Sequence, residues 1–196
     1  SSDLTVEEAI RGQRVQPRSI EEARKYFRRS KEEGHEGIMI KRLDSEYVFG
    51  RRGKRWFKLK HTLDTMDLVI VAAEWGHGRR SNWLSDFHLA VRDEGGFVRV
   101  GKTFKGLTDR EFEYITQRLL SLKISEERNI VHVKPQIVVE VTVSEIQKSS
   151  TYSSGLALRF ARIKAIREDK PVDDAMTLRD LESIYEKQFR YKARRV

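Results

Sequence analysis

Glu36-Gly37-Ile38-Met39-Ile40-Lys41, followed beyond a basic stretch by Trp56-Phe57-Lys58-Leu59-Lys60, sets one acid and three lysines among apolar residues in an alternating pattern. Such alternation reads as two β-strands, because successive side chains of a strand point to opposite faces. It puts Trp56, Lys58 and Lys60 on one face of the second strand and Phe57 and Leu59 on the other. In the first strand, Ile38 and Ile40 face one way and Gly37, Met39 and Lys41 the other. Two ammonium groups sharing a face repel each other unless an anion lies between them, and an ammonium is a strong point-charge partner for phosphate oxygens. A phosphate site carried on strands is one reading of the stretch. A solvated strand face is the alternative.

Working outward, Ser19 and Glu22 form a capping-box pattern, with apolar Ile20, Ala23 and Phe27 behind it and a stop at Gly34, which predicts a helix over 20–33. Residues 1–17 are polar and irregular, with Leu4-Thr5-Val6 as the one short strand. Arg51-Arg52-Gly53-Lys54-Arg55 reads as a basic turn between the two lysine-bearing strands. The polar connector His61-Thr62-Leu63-Asp64-Thr65-Met66 is where a domain boundary and a hinge are expected. Strand-like runs follow at 67–75, 83–92, 97–104, 136–143 and 156–164, separated by turns such as Glu94-Gly95-Gly96. A helix capped by Thr108 and Glu111, with Phe112, Ile115, Leu119 and Leu122 as its buried stripe, interrupts them. Five strands and one helix make the pattern of an oligonucleotide-binding (OB) barrel. Over 137–143 the odd positions are apolar while Glu140 and Thr142 point away, as in a barrel wall with two distinct faces. Pro171 stops the chain, Thr177 starts a last helix with Leu178, Leu181, Ile184 and Tyr185 along one side, and the basic end Arg190 to Arg195 is expected to fray.

Composition narrows the partners. Across 196 residues, 39 Lys and Arg stand against 30 Asp and Glu, an excess of +9. That balance favours polyanions through salt-dependent, sequence-tolerant attraction, although a generally basic solvated surface has the same composition. Within residues 36–61 eight Lys or Arg face three acids, so the charge concentrates where the phosphate-type strands lie. The absence of cysteine excludes disulfides and thiolate metal sites and is compatible with an intracellular setting; the expected location is cytoplasmic or nucleoid-associated. No apolar run approaches the roughly 20 residues needed to cross a bilayer, so no membrane partner is expected. The five histidines show no metal-ligand spacing such as His-Glu-x-x-His, which argues against zinc.

The two opening stretches, in this order, resemble nucleotidyltransferase motifs IV and V of ATP-dependent DNA ligases. Downstream, Asp67-Leu68-Val69-Ile70-Val71-Ala72-Ala73 leading to Gly76-His77-Gly78-Arg79-Arg80 is similar to the start of the ligase OB domain. Gly155-Leu156-Ala157-Leu158-Arg159-Phe160-Ala161-Arg162, running into Arg167-Glu168-Asp169-Lys170, resembles motif VI with its terminal Arg-x-Asp-Lys. Gly34-His35-Glu36-Gly37 and Arg42-Leu43-Asp44-Ser45-x-Tyr47 resemble the archaeal branch most. The Lys-x-Asp-Gly motif that carries AMP in these enzymes does not occur in the sequence; Lys41-Arg42-Leu43-Asp44-Ser45 comes nearest but ends in serine. The resemblance therefore implies the C-terminal portion of a ligase that would not self-adenylate alone. The fold it implies is α+β and mainly β: the C-terminal part of an adenylation (nucleotidyltransferase) domain over 1–65, an OB-fold barrel over 66–172, and a C-terminal helix with basic tail over 173–196.

The same resemblance implies chemistry. These enzymes pass AMP from ATP to a lysine, then to the 5′-phosphate of a nick in duplex DNA, and expel it when the 3′-hydroxyl attacks, as in DNA repair, replication and recombination. Each step is a displacement at phosphorus, helped by cations that offset phosphoryl charge. Glu36 would bind or position Mg²⁺; Lys58 and Lys60 would contact the α-phosphate of ATP and of the adenylate, with Lys41 as a companion. Trp56 could stack, but its pattern favours packing in a core. Arg167 and Lys170 would orient the pyrophosphate, with Asp169 aligning one of them by a salt bridge. Because motif VI lies on another domain from the adenylate pocket, the first step would need domain closure, followed by reopening. Arg51, Arg52, Lys54 and Arg55 read as a DNA-backbone patch, and Arg79, Arg80, Lys102 and Lys105 as further duplex contacts.

Two positions depart from the family pattern: Ala161 stands where Arg-Phe-Pro-Arg is common, and Ser150-Thr151 where Ser-Pro is usual. Both alter backbone stiffness rather than charge. The partners implied are nicked duplex DNA and the missing N-terminal part of the ligase. A sliding clamp would have to dock through regions outside this chain, which lacks the usual docking sequence. Two other functions share much of the pattern: the related mRNA-capping guanylyltransferase, and a nucleic-acid-binding OB module without catalysis, in which Glu36, Lys58 and Lys60 would be dispensable.

Overall fold

The structure, a computed structural model, describes residues 14–33, 35, 37–44, 56–60 and 63–193, with side chains described to Gln188. It divides into two compact units, Ser1–Leu59 and Lys60–Val196. The proposed strand at Leu4-Thr5-Val6, the acid Glu36, the basic turn at 51–55 and the side chains of the basic tail lie outside the described residues.

In the first unit, helix α1 (Ile20–Glu32) starts at Ser19, whose hydroxyl accepts the Glu22 N–H at 3.1 Å. The Glu22 carboxylate reaches back past the cap to accept the Arg18 N–H at 2.6 Å, a one-residue variation on the capping box. Strands β1 (Gly37–Lys41) and β2 (Trp56–Lys60) then pair as a two-stranded sheet. The division between the units falls inside β2, after Leu59.

The second unit carries eight strands among its described residues: β3 (Met66–Trp75), β4 (Leu84–Asp93), β5 (Gly96–Thr103), β6 (Lys123–Glu127), β7 (Ile130–Thr142), β8 (Glu145–Lys148), β9 (Leu156–Arg159) and β10 (Arg162–Ile166). They build a curled antiparallel OB-type sheet in the order β10-β7-β3-β4-β5, with β6 also pairing on β7, and a separate β8-β9 hairpin. Helix α2 (Asp109–Ser121) closes the core with Phe112, Ile115 and Leu119, all fully buried against Leu68, Ile70, Phe87, Leu89 and Val139. Its Thr108–Glu111 capping box is reciprocal, as expected. Helix α3 (Leu178–Ala193) buries Leu181, and its helical backbone continues into the basic end that the sequence leaves frayed, on residues with adequate helix propensity.

Three expectations for the barrel change. Strand β7 is much longer than 136–143, and Pro135 does not break it. The β3 partners jump there from Ile70↔Ile137 to Ala72↔His132, so the proline occupies a bulge where no ladder N–H is required. Strand β6, exposed at every residue, carries no apolar alternation for a sequence reading to detect. The run 156–164 is two strands, not one, because Phe160 takes φ 56° and sends β9 and β10 to different partners. Val138, an even position, is also buried: with Val69 it forms a small second core under Ala175, so the wall has apolar residues on both faces there.

Gly106 fixes the approach to motif VI. It sits at φ +119°, and an added Cβ would stand 1.9 Å from the Ile163 carbonyl oxygen. The close approach lets Ile163 N–H donate to the Lys105 carbonyl at 2.9 Å, joining the chain after β5 to β10.

Candidate phosphate and nucleic-acid site

On β1 and β2, the Lys41 ammonium lies over the Trp56 ring, 4.0 Å from its centroid. That contact fixes which faces agree: alternation then places Lys58 and Lys60 on the side of Trp56 and Lys41. All five residues of β2 are exposed. Trp56 is 41% exposed and packs under a cation rather than in a core, because the two strands form a sheet of their own among the described residues. The cation–π contact orients Lys41 without neutralising it. A face with three lysines and an aromatic fits a phosphate-bearing ligand such as ATP. Glu36, the expected Mg²⁺ ligand, lies outside the described residues, and among those described no group of three His, Cys, Asp or Glu could hold a metal ion.

The motif VI residues follow β10. Arg167 donates through Nε and Nη2 to the two oxygens of Asp169 at 2.9 and 2.8 Å, a bidentate fork. That hydrogen-bonded guanidinium holds the Asp169 carboxyl at a pKa of about 2 and raises the guanidinium's own above its usual value. The pair is fully ionised at neutral pH. Arg167 Nη1 also lies 3.4 Å from Asp67 Oδ1, and Lys170 Nζ donates to Asp67 Oδ2 at 2.5 Å. The structure thus brings Arg167, Asp169 and Lys170 together and adds Asp67, which sequence reasoning placed only in a strand.

Beside them opens a cavity of about 340 Å³ between α2, β7 and the residues after β10. Arg118 and Tyr114 line one wall and Gln136 another, with Arg167 and Lys170 at the side; the Tyr114 hydroxyl donates to Glu168. Arg118 was missed because its spacing from Tyr114 marks only a shared helix face. Nothing local shows that this face meets motif VI.

The proposed duplex contacts separate into distinct environments. Lys102 is held by Glu74 at 3.0 Å and Asp86 at 3.1 Å, and Glu74 also hydrogen-bonds His88 Nε2 at 2.7 Å. Hydrogen bonding to Glu74 raises the Lys102 pKa. Burial raises the Glu74 carboxyl, but hydrogen bonds from His88 and Lys102 outweigh it and leave the net pKa lowered. Arg80 stacks its guanidinium 4.3 Å from the Phe112 ring centroid and donates to the Phe104 carbonyl at 3.3 Å, so it braces the barrel. Arg79 is solvent-exposed, 3.6 Å from Asp109. Lys105 lies over the Phe104 ring at 5.4 Å. Thr103 Oγ1 donates to the Ala161 carbonyl at 2.6 Å, which ties that segment to the turn bearing Phe160. Phe160 is 64% exposed, with the Arg159 guanidinium 5.1 Å from its ring centroid. Two exposed aromatics flanked by cations on neighbouring segments therefore form a surface that sequence reading did not single out; Phe160 was masked by its place inside a predicted strand.

Comparison with known proteins identifies the family. Residues 7–60 match the ATP dependent DNA ligase domain, and residues 80–170 the ATP dependent DNA ligase C terminal region. Similar proteins include DNA ligase 1 of Korarchaeum cryptofilum, 56% identical over 160 residues, covering 81% of this chain and 29% of the relative. The DNA ligase of Thermococcus fumicolans is 46% identical over 195 residues, covering 97% of this chain and 35% of the relative. The chain thus spans about a third of the length of these relatives. Among solved structures, the ligase domain of LigD from M. tuberculosis superposes with a TM-score of 0.52 at 29% identity, over 76% of this chain and 50% of that one. With its motif VI cations beside an OB barrel and two successive family regions together matched over most of its length, the chain belongs to the ATP-dependent DNA ligases and corresponds to their C-terminal portion.

Proposed function

We propose that this chain supplies the motif IV to motif VI part of an ATP-dependent ligase that seals nicks in duplex DNA through enzyme-AMP and DNA-adenylate intermediates. The observation that carries the reading is the convergence of Arg167 and Lys170 on one carboxylate beside an open cavity, within a chain of this family. Residues 1–65 serve as the end of the adenylation domain, 66–172 as the OB domain and 173–196 as the C-terminal helix and basic tail.

In the first step, a lysine supplied by the missing N-terminal part attacks the α-phosphorus of ATP. A nitrogen–phosphorus bond forms and the bond to pyrophosphate breaks. Lys58 and Lys60, with Lys41 beside them, offset charge on the α-phosphoryl oxygens, while Arg167 and Lys170 orient the leaving pyrophosphate, with Asp169 aligning Arg167. Glu36 would hold Mg²⁺, which would offset charge on the phosphoryl oxygens; a single carboxylate binds that ion weakly in the absence of substrate phosphates. The OB domain holds the nicked duplex.

For that grip the exposed Phe104, Lys105, Arg159 and Phe160 are the strongest group: apolar rings against the duplex, cations on phosphates. Arg79 and the basic residues Arg51, Arg52, Lys54 and Arg55 add backbone contacts. Arg80 and Lys102, engaged within the barrel, contribute less. Incubation of this chain alone with labelled ATP and Mg²⁺ tests the division of labour: no labelled protein is expected, and a covalent adenylate on this chain would refute it.

A further inference from the structure

We propose that Asp67, near the start of β3 where the chain enters the barrel sheet, is a positioning residue for the pyrophosphate-binding cations of motif VI. Each oxygen of its carboxylate takes a different cation: Oδ1 lies 3.4 Å from Arg167 Nη1, and Oδ2 lies 2.5 Å from Lys170 Nζ. Without an anion between them, two like charges converging this closely would swing apart into solvent. Asp67 therefore fixes their separation before any phosphate arrives.

Burial and backbone distinguish Asp67 from Asp169. The Asp67 side chain is 18% exposed and lies beneath the cations, which are 29% and 28% exposed, whereas Asp169 is 68% exposed and faces water. The deeper carboxylate is screened less by salt and solvent. Asp67 is also anchored: it sits in β3 opposite Glu140 of β7, and its carbonyl accepts the Met176 N–H at 2.9 Å. Asp169 belongs to the same short turn as the cations, closed by Lys170 N–H on the Arg167 carbonyl at 3.3 Å, and it contacts only Arg167 among the described ion pairs. Lys170 has Asp67 as its ion-pair partner. A side chain on a hydrogen-bonded strand makes a more rigid support than one on the turn it supports.

Charge and position predict opposite signs. Arg167 and Lys170 against Asp67 and Asp169 form an electroneutral quartet, so removing the Asp67 charge leaves the site more positive. If charge alone mattered, inorganic pyrophosphate would bind more tightly to Asp67→Asn. Positioning predicts weaker binding by about tenfold or more, the scale of one lost charge-assisted contact. Asp67→Glu keeps the charge and displaces the carboxylate, so positioning predicts a smaller loss and charge predicts none.

The proposal rests on Arg167 and Lys170 being pyrophosphate ligands, and the test separates the two claims. Inorganic pyrophosphate is titrated into this chain and its Asp67→Asn, Asp67→Glu and Lys170→Met variants, following the Arg167 Nε–H NMR signal, with thermal unfolding as the control for folding. Weaker binding in all three, graded Asn over Glu, supports Asp67 as the positioning group. Weaker binding in Lys170→Met with unchanged or tighter binding in both Asp67 variants overturns it while leaving the ligand reading intact. Pyrophosphate binding indifferent to Lys170→Met overturns both.

Discussion

His88 Nε2 lies 2.7 Å from Glu74 Oε1, although the histidine, on β4, is only 2% exposed. Burial lowers its pKa; Glu74 opposes that shift, and the positive charges of Arg99 and Lys102 reinforce it. At neutral pH the ring is uncharged and Nε2–H donates to Glu74, leaving Nδ1 without a hydrogen-bond partner.

Stability should therefore fall on mild acidification. A histidine with a depressed folded pKa takes up protons in the unfolded chain first, so unfolding free energy declines as pH drops below the ordinary histidine value of about 6.5. Glu74, whose folded pKa is also depressed, adds a further loss as pH falls through the ordinary carboxylate range. Urea unfolding between pH 7.5 and 5.5 should show the first slope in the wild type and a flatter one in His88→Gln. An equal slope in both would remove His88 from the account.

The proposed DNA contacts should sort by engagement rather than by residue type. Phe160→Ala should weaken duplex binding by up to about 1.5–3 kcal/mol, the scale for burying one large apolar side chain. Lys105→Ala should reduce the salt dependence of binding by roughly one released counterion. Lys102→Ala should leave that slope unchanged, because Glu74 and Asp86 already neutralise the ammonium. Fluorescence anisotropy over a salt series checks all three; an equal loss from Lys102 and Lys105 would contradict the sorting.

Gly106 offers a test of how motif VI is held. Gly106→Ala puts a methyl group 1.9 Å from the Ile163 carbonyl oxygen at a backbone φ of +119°. The strain alone costs about 1–3 kcal/mol, with the clash added to it. The unfolding midpoint should drop accordingly, and amide exchange should quicken at Ile163, whose N–H bonds to Lys105. A wild-type midpoint would mean that β10 shifts without cost.

Where local rules act, the chain was legible. Ser19 and Thr108 start their helices as caps, Phe112, Ile115 and Leu119 bury as a stripe, and the alternation of β2 agrees with the Lys41–Trp56 contact. Local rules fail where a partner strand decides. Nothing in the run 136–143 shows that β7 begins before Pro135, which a bulge of β7 opposite β3 accommodates, and β6 exists because it pairs with β7 rather than because of its own pattern. The Phe160 break has no composition signal, since a bulky residue at positive φ is rare. The motif VI residues were readable by resemblance, but Asp67 is about a hundred positions earlier, and only the β3–β7–β10 arrangement brings it beneath them. Lys102 read as a free cation because Glu74 and Asp86 become its neighbours only through strand register.

The measurement that tests the central claim most directly is adenylate transfer to a nicked duplex by this chain joined to a ligase segment bearing motifs I to III, with Mg²⁺ and ATP labelled in its α-phosphate. The account predicts label on the 5′-phosphate of the nick, lost in Lys58→Ala while duplex binding is kept. Duplex binding without any label on the DNA, or transfer indifferent to Lys58→Ala, would contradict it and leave a nucleic-acid-holding barrel in its place.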